Sequence, residues 1–506
     1  MEKAKVQVLI VGAGPTGLVL ALRLAAHGVR IRIVDQHAGP GEASRAMTVQ
    51  ARTLEFYQQL GWGDAVAALG IPIEQIRFRE DGKQVKAVSM HDIGRGRSPY
   101  PYVLCFPQDD HERFLVERLR DAGIEIEWHT ELKSFTQNDR GVQAVLDCNH
   151  ALSELEVDYL CGCDGAHSTV RQGLGGVFPG DTYAQVFFVA DVKVAGPFRH
   201  DLCFNFSRHD MVLMMPVRSR AAQRLIGIVP AELAGRDDLS FDELRPYVTH
   251  LAGIEIEAVN WFSIYHVHHR VADHFRLGRC FIAGDAGHIH SPAGGQGMNT
   301  GIGDAVNLSW KLAAVLAGRA DPLLLESYEL ERIRFARTLV KTTDRAFRRM
   351  VGQGWGSQIL RRCIVPYAMA CLMHFSAGRH LLFNTVAQLR IRYRESHLSE
   401  GHAAHLYGGD RLPWVAGIDG GNFAPLTALN WQLHIYGEAG AALRDTAAEL
   451  NLPLHVFPWS DLALAAGLQR DAAYLLRPDA YIGWVSPRQD ATALAKYVAR
   501  LGLRFN

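Results

Sequence analysis

The stretch Val6–Gly17 limits what this chain can fold into more than any other. Val6-Gln7-Val8-Leu9-Ile10-Val11 is apolar and β-branched, the pattern of a buried parallel strand. Gly12-Ala13-Gly14-Pro15-Thr16-Gly17 follows, and then an apolar helix up to Gly28, which reads as its stop. Gly12 permits the tight turn, Gly14 lets backbone approach a pyrophosphate, and Gly17 lets the helix lie against the sheet. The helix N-terminus offers free N–H groups and a positive dipole end to phosphates. Ile31-Arg32-Ile33-Val34 is the next strand, with Asp35 at its tip, eighteen residues after Gly17, where a ribose hydroxyl is gripped. With 48 glycines in 506 residues, three glycines at this spacing arise by chance about 0.4 times per chain. The strand before, the helix after and the acid turn a weak pattern into a dinucleotide site. The bland alternative is a glycine turn that binds nothing, and the motif does not separate FAD from NAD.

A chain of this length predicts more than one domain, and three is the expectation. Charge is balanced, 53 basic against 53 acidic residues with a pI near 7.4, so no net field favours nucleic acid or an anionic membrane. The first strand begins within five residues, leaving no room for a secretory signal. Eight cysteines end at Cys371 and form no disulfide framework, so a reducing cytoplasm is expected. Cys363–Phe375 is apolar but too short to span a bilayer and is interrupted by Pro366 and His374. It is expected to be a packed core helix or a subunit contact.

Beyond Asp35, Arg45 and Arg52 flank a segment that becomes helical by Arg52. Two arginines so close behind a phosphate loop suggest a lid over a cofactor, against solvated helix charges. Gln108 stands just before an amphipathic helix, Phe114 to Ala122, where its amide could touch a flavin or ribose edge. The stretch 124–160 alternates like a β-meander. An apolar strand then runs into Cys161-Gly162-Cys163-Asp164-Gly165, with Ser168 as a helix cap. The two cysteines share one strand face and read as small core residues, without disulfide or metal role. From Phe187 to about Val271 the pattern is mostly β. Residues 202–207 and 211–216 form a hairpin whose sides carry Phe204, Phe206, Met211, Leu213 and Met215. Such a face could wall a pocket for a flat organic substrate, or be ordinary core. In Tyr265-His266-Val267-His268-His269, alternation sets His266 and His268 on one side and His269 on the other; no matching carboxylate or cysteine supports a metal. A third buried strand ends at Gly284-Asp285. It leads through Pro292 into Gly295-Gln296-Gly297-Met298-Asn299 and a helix, a second place for an anion or polar ring edge.

Gly12-x-Gly14-x-x-Gly17 with Asp35, Asp164-Gly165 with Ser168 and Arg171, and Gly284-Asp285 with Pro292 and Gly295–Asn299 together resemble the single-component FAD-dependent aromatic hydroxylases. The likeness covers about residues 5–345 and includes the run 304–312. The branch it looks most like comprises the phenol, 3-(3-hydroxyphenyl)propionate and polyketide hydroxylases, which carry a C-terminal thioredoxin-like domain. Residues 401–506 fit that, with Leu412-Pro413-Trp414 and Arg477–Trp484, and hold no cysteine, which excludes thiol redox there. The resemblance implies an α/β and α+β fold: a Rossmann-like FAD-binding domain (1–78, 101–178 and 279–345), an inserted substrate-binding β-domain (79–100 and 179–278), a helical connection (346–400) and a thioredoxin-like domain (401–506). It implies that Gly12, Gly14, Pro15, Thr16 and Gly17 hold the pyrophosphate of a tightly, non-covalently bound FAD, with Asp35 and Gln36 at the ribose. Arg45 and Gln108 would contact the cofactor, and Asp164 would reach the region where FAD and nicotinamide approach. Gly284 and Asp285 would meet the ribityl chain or pyrophosphate, and Pro292 with Gly295, Gln296, Gly297, Met298 and Asn299 would line the isoalloxazine. Gly287 stands where the family usually has alanine.

The activity implied is hydroxylation of a phenolic or other electron-rich ring, with NAD(P)H as transient co-substrate, O2 as oxidant and a flavin C4a-hydroperoxide as oxygen donor. A helix N-terminus near Gly297–Thr300 would stabilise reduced flavin, and the β-domain would exclude water. Tyr265, His266 and His268 are base candidates from position, and Arg52 could hold a carboxylate or phenolate. Partners expected are a small aromatic substrate and a possible second copy, with no nucleic acid and no membrane span. Alternatives are an epoxidase or halogenase of the same fold, although no tryptophan-rich halogenase signature lies between the first two motifs. A plain NAD dehydrogenase and a non-catalytic flavin-binding regulator complete the set.

Overall fold

The computed structural model describes residues 5–41, 46–196, 200–208, 210–218, 222–236, 238–291, 293–352 and 354–505. Val8–Val11 is buried throughout, because both faces of its sheet are covered. That sheet has six strands in the order Arg276–Leu277, Cys280–Ile282, Tyr159–Gly162, Val8–Val11, Ile31–Val34, Ile126–Glu127. All run parallel except Arg276–Leu277, which closes one edge antiparallel. Helices Pro15–Ala26 and Gly297–Leu316 pack on each other, and the meander 130–157 contributes Leu132, Val142 and Leu146 to the same core.

The second sheet has eight strands: His288–Ile289, Ile256–Val271, Gly180–Val194, Ala222–Ile228, Met211–Val217, Asp201–Phe206, Gln75–Glu80 and Lys83–Ser89, in that spatial order. Its strands alternate, so its faces differ. Phe188, Ala190, Met214 and Leu225 share a core with helix Phe241–Ala252. Phe187, Ile226, Leu213 and Phe204 point the other way.

The C-terminal sheet orders Leu454–Phe457, Gln432–Tyr436, Ala473–Leu476 and Ile482–Ser486. The first pair is parallel, joined through helix Ala441–Glu449; the other two are antiparallel, and helix Ala491–Arg500 follows. This is the thioredoxin-like arrangement. It is anchored, not appended. Trp310 of helix Gly297–Leu316 enters its core, edge-on to Trp431 at 5.6 Å. In return, the turn Arg477-Pro478-Asp479 reaches back: the Pro478 carbonyl accepts from Gln59 Nε2 (3.2 Å) and the Asp479 carbonyl from Arg52 Nη2 (2.7 Å).

Of the two expectations for Cys363–Phe375, a packed core helix or a subunit contact, the first does not hold. Helix Val365–His374 buries only Pro366 and Met373. It lies against strand Lys83–Ser89 with most of its residues exposed or half-buried, so it is not a core helix. Among the described residues no helix is long and apolar enough to cross a membrane.

Candidate active site

Three turns leave the same edge of three neighbouring parallel strands. Val11, Gly162 and Ile282 are in register, so Gly12–Gly17, Cys163–Ser168 and Ala283–Gly287 emerge side by side. The close packing is glycine-dependent. Gly12 has φ +104°, and a Cβ there would sit 2.3 Å from the Cys163 carbonyl oxygen. A Cβ on Gly17 would sit 1.9 Å from the Gly12 carbonyl oxygen, and one on Gly284 would sit 2.5 Å from Thr16 Oγ1. Thr16 thus lies between the first and third turns. Asp35 Oδ2 accepts from the Ala13 N–H (2.7 Å) and Oδ1 from the His37 N–H (2.9 Å), which ties the tip of the second strand to the first turn. Asp164 accepts from the Ser168 hydroxyl and from the Val170 N–H at 3.1 Å. Burial pushes its carboxyl above the usual range, and these donors oppose that. Asp285 is exposed at the head of the third turn, and Gln36 is exposed beside Asp35.

The cradle fits a dinucleotide. Nothing lies within 4 Å of a Cβ built on Gly14, which leaves its backbone open to a phosphate just before the N-terminus of helix Pro15–Ala26. Pro15 at the first helical position gives up an N–H that has no helical partner there in any case. At the third turn, helix Gly297–Leu316 begins after Gly294 and Gly295. His290 Nε2 is buried without a partner, 3.7 Å from a Cβ built on Gly297. Burial lowers the His290 pKa to about 4, so a neutral imidazole faces this helix start. Gln50 Oε1 is likewise buried and unpartnered, while its Nε2 holds the Gly294 carbonyl (3.0 Å). Unmatched buried polar atoms of this kind are what a bound ring with polar edges would satisfy.

Several expected contacts are occupied by protein. Asn299 is buried: its Oδ1 accepts from Gln50 N–H (2.8 Å) and Thr53 Oγ1 (2.7 Å), and its Nδ2 donates to the Thr48 and Gly295 carbonyls (both 2.9 Å). Gln296 Nε2 donates to the Gly294 and Val386 carbonyls (2.9 Å each). Both amides therefore shape the loop, while Gly297 and Met298 are half-buried, Met298 against the main core. Gln108 Nε2 donates to Glu112 (2.8 Å), whose other oxygen accepts the Gly41 N–H (2.8 Å), so Gln108 pins a loop end. Arg52 is no lid. It is 2 % exposed, donates to Glu55 (2.9 Å) and to the Asp479 carbonyl (2.7 Å), and lies over Phe56. Arg45 and Pro292 lie outside the described residues.

The second sheet turns its other face to this cradle. His288–Ile289 is its edge strand, so the third turn runs straight into it. Thr48 Oγ1 donates to the Gly295 carbonyl (3.3 Å), strand Thr48–Val49 pairs with Leu104–Cys105, and strand Met211–Val217 packs on the latter. Phe204, Leu213 and Ile226 are in register across three strands and half-buried. Met211 is half-buried too, whereas Phe206 and Met215 are buried in the main core. The base candidates scatter. His266 is exposed, His268 bonds Thr182 (2.7 Å), and Tyr265 packs on Phe187. The polar group that does assemble was not foreseen. Tyr183 donates to Asp344 (2.5 Å), Arg348 donates to Asp344 (2.9 Å), and His269 lies 3.2 Å from Arg348. Tyr183, His269 and Arg348 line a cleft of about 450 Å³ with Gln185 and Val351, and Asp344 holds Tyr183 and Arg348 from behind. Burial and Asp344 push the Tyr183 phenol up, and Arg348 and Ser291, the latter just ahead of the Gly294–Gly295 loop, oppose the rise. The only sequence signal was the side on which His269 falls by alternation.

A cradle of three converging turns beneath an apolar β-face defines a flavoprotein oxidoreductase. Residues 5–343 match the family model described as FAD binding domain, and the chain belongs to that family. The 6-methylpretetramide 4-monooxygenase of Streptomyces rimosus is 31% identical, over 98% of this chain and 94% of its own. The dialkyldecalin synthase of Streptomyces rugosporus is also 31% identical, over 96% and 97%. A ternary complex of aklavinone-11 hydroxylase with FAD and aklavinone superposes with a TM-score of 0.80 at 25% identity, over 99% of this chain and all of that one. The chain is an FAD-dependent monooxygenase of the aromatic-hydroxylase kind.

Proposed function

We propose that the enzyme hydroxylates an extended, electron-rich aromatic substrate, phenolic and of several fused rings, held between the second sheet and the third turn. What carries this reading is the register of Val11, Gly162 and Ile282 set beneath the half-buried stripe of Phe204, Leu213 and Ile226. The relatives' multi-ring substrates, pretetramide and aklavinone, support a flat apolar ligand of that size. Residues 1–78, 101–178 and 279–345 then serve as the FAD domain, 79–100 and 179–278 as the substrate domain, 346–400 as a helical connection and 401–506 as the thioredoxin-like domain.

When bound, FAD supplies reduction by NAD(P)H and activation of O2. In this reading Gly12, Gly14, Pro15, Thr16 and Gly17 hold the pyrophosphate, Asp35 the ribose, and Gly284 and Asp285 the polar chain between. The N-terminus of helix Gly297–Leu316 faces the ring and stabilises negative charge there. His290 and Gln50 bond the polar ring edge. The apolar stripe excludes water from the reacting face. Tyr183, with Asp344 and Arg348 behind it, orients the substrate's oxygen groups. Eight unpaired thiols support a reducing compartment, the cytoplasm.

The test is a panel of phenols and fused-ring phenols given to the yellow holoenzyme with NADH or NADPH. Substrate-stimulated oxidation, with O2 uptake and a product heavier by one oxygen, is expected. A product of unchanged mass formed without O2 uptake would reject hydroxylation of such substrates.

A further inference from the structure

The balanced charge of the whole chain conceals a one-sided segment. Residues 345–394 hold nine arginines and no aspartate or glutamate. The same segment carries a group of large exposed apolar residues: Trp355 is 79% and Phe375 60% exposed, with Tyr367, Leu381, Ile364 and Leu372 between 42% and 53%. Their spacing is helical. Ile364, Tyr367, Cys371, Leu372 and Phe375 follow one stripe of helix Val365–His374, and that stripe faces outward. The helix is therefore apolar on both sides. Met373 packs inward, and the residues of the outer stripe are exposed. Basic residues surround it: Arg362 pairs with Glu80, Arg379 donates to the Met373 carbonyl (3.0 Å), and Lys83 and Lys86 lie on the strand beneath. Arg345 and Arg349 are exposed on the preceding helix.

We propose that this face is a peripheral docking surface for an anionic lipid bilayer, with the stripe Ile364–Phe375 and Trp355 seated at the headgroup boundary and the arginines against the phosphates. An aromatic and aliphatic face ringed by arginine matches the chemistry of an interfacial helix, and a carboxylate-free segment matches a negative surface. A second copy of this chain would set Arg345, Arg349 and Arg379 against their own like, which disfavours a symmetric dimer through the same face.

The holoenzyme is mixed with vesicles of phosphatidylcholine alone, or with about one part in three phosphatidylglycerol, and floated on a density gradient. Anionic vesicles should carry about tenfold more enzyme than neutral ones, and raising the salt should release it. The paired substitution Tyr367→Ser with Phe375→Ser should lower the bound fraction about tenfold while the yellow colour, and hence the fold and FAD site, is retained. Equal flotation with both vesicle types, or none, overturns the proposal. So does a dimer in light scattering that the paired substitution dissociates, since the face would then belong to a second copy.

Discussion

Two regions hold the molecule together by opposite means. The cradle is made of backbone: three turns approach within van der Waals contact because Gly12, Gly17 and Gly284 have no side chain. The seam with the C-terminal unit is made of long charged side chains. Glu331 accepts from both terminal nitrogens of Arg477 (2.7 and 2.9 Å), from Lys311 (2.9 Å), from Asn307 (2.7 Å) and from Ser396 (2.7 Å). Arg477 also reaches Asp479, which accepts from Trp310 Nε1 (3.1 Å). These groups are fully buried. The difference follows from what each place must hold. A cradle must leave its N–H groups open to a ligand, and any side chain would fill the space. A seam between folded units has no ligand, so each buried charge must be answered by another charge of the same chain.

The largest effect belongs to the seam. Arg477→Ala leaves Glu331 and Asp479 buried with one cation fewer, and the apoprotein should lose on the order of 3–5 kcal/mol in denaturant titration. A loss under 1 kcal/mol would mean that water replaces the guanidinium and that the seam is looser than its burial implies. In the cradle, Gly12→Ala combines a disallowed φ with overlap onto the Cys163 carbonyl, and about 2–3 kcal/mol should be lost. The variant should also emerge from gel filtration colourless. A stable yellow variant would break the claim that the turns touch.

A smaller effect comes with pH. Burial lowers the Lys311 pKa from 10.5 to about 8, with Glu331 opposing. The unfolded chain therefore holds the Lys311 proton up to higher pH than the folded one, and stability from this group rises as pH climbs from about 8 to 10.5. Subtracting the curve of Lys311→Met isolates it. The difference should climb by on the order of 1 kcal/mol per pH unit in that window; a flat difference would show that Lys311 keeps its proton in both states.

How much of this was legible in the sequence follows the same division. The cradle is local: strand, turn and helix lie within twenty residues, and Gly12, Gly14 and Gly17 state the geometry directly. The convergence of Asp164 and Asp285 upon it needed only the short apolar strands before each. The seam is not local. Arg52 looked like a lid because its neighbours in sequence are a phosphate loop, whereas its partner, the Asp479 carbonyl, lies 427 residues away. The run Arg477–Trp484 resembles the family's, yet nothing in it says that Glu331, in the second turn of the long helix Glu326–Val351, is its counter-ion. Helix Val365–His374 fits only the subunit-contact half of its two readings, for a related reason: an apolar run tells that a surface wants cover but not whether the same chain supplies it. The Tyr183–Asp344–Arg348 group joins a strand start to a helix end, and neither stretch carries a motif.

The sharpest separation of the two regions is the mildest change. Gly14 stands between Gly12 and Gly17 in the same turn, but a Cβ there meets nothing within 4 Å and its φ of −73° is ordinary for any residue. Gly14→Ala should therefore leave apoprotein stability within about 0.5 kcal/mol of the parent. The methyl group nevertheless stands where the pyrophosphate must come against the backbone. FAD affinity, read by flavin fluorescence on titrating the apoprotein, should fall by about tenfold or more, equivalent to about 1.4 kcal/mol. Lost stability with unchanged affinity would mean that the open space at Gly14 is not the phosphate site, and the glycines of this turn would then serve packing alone.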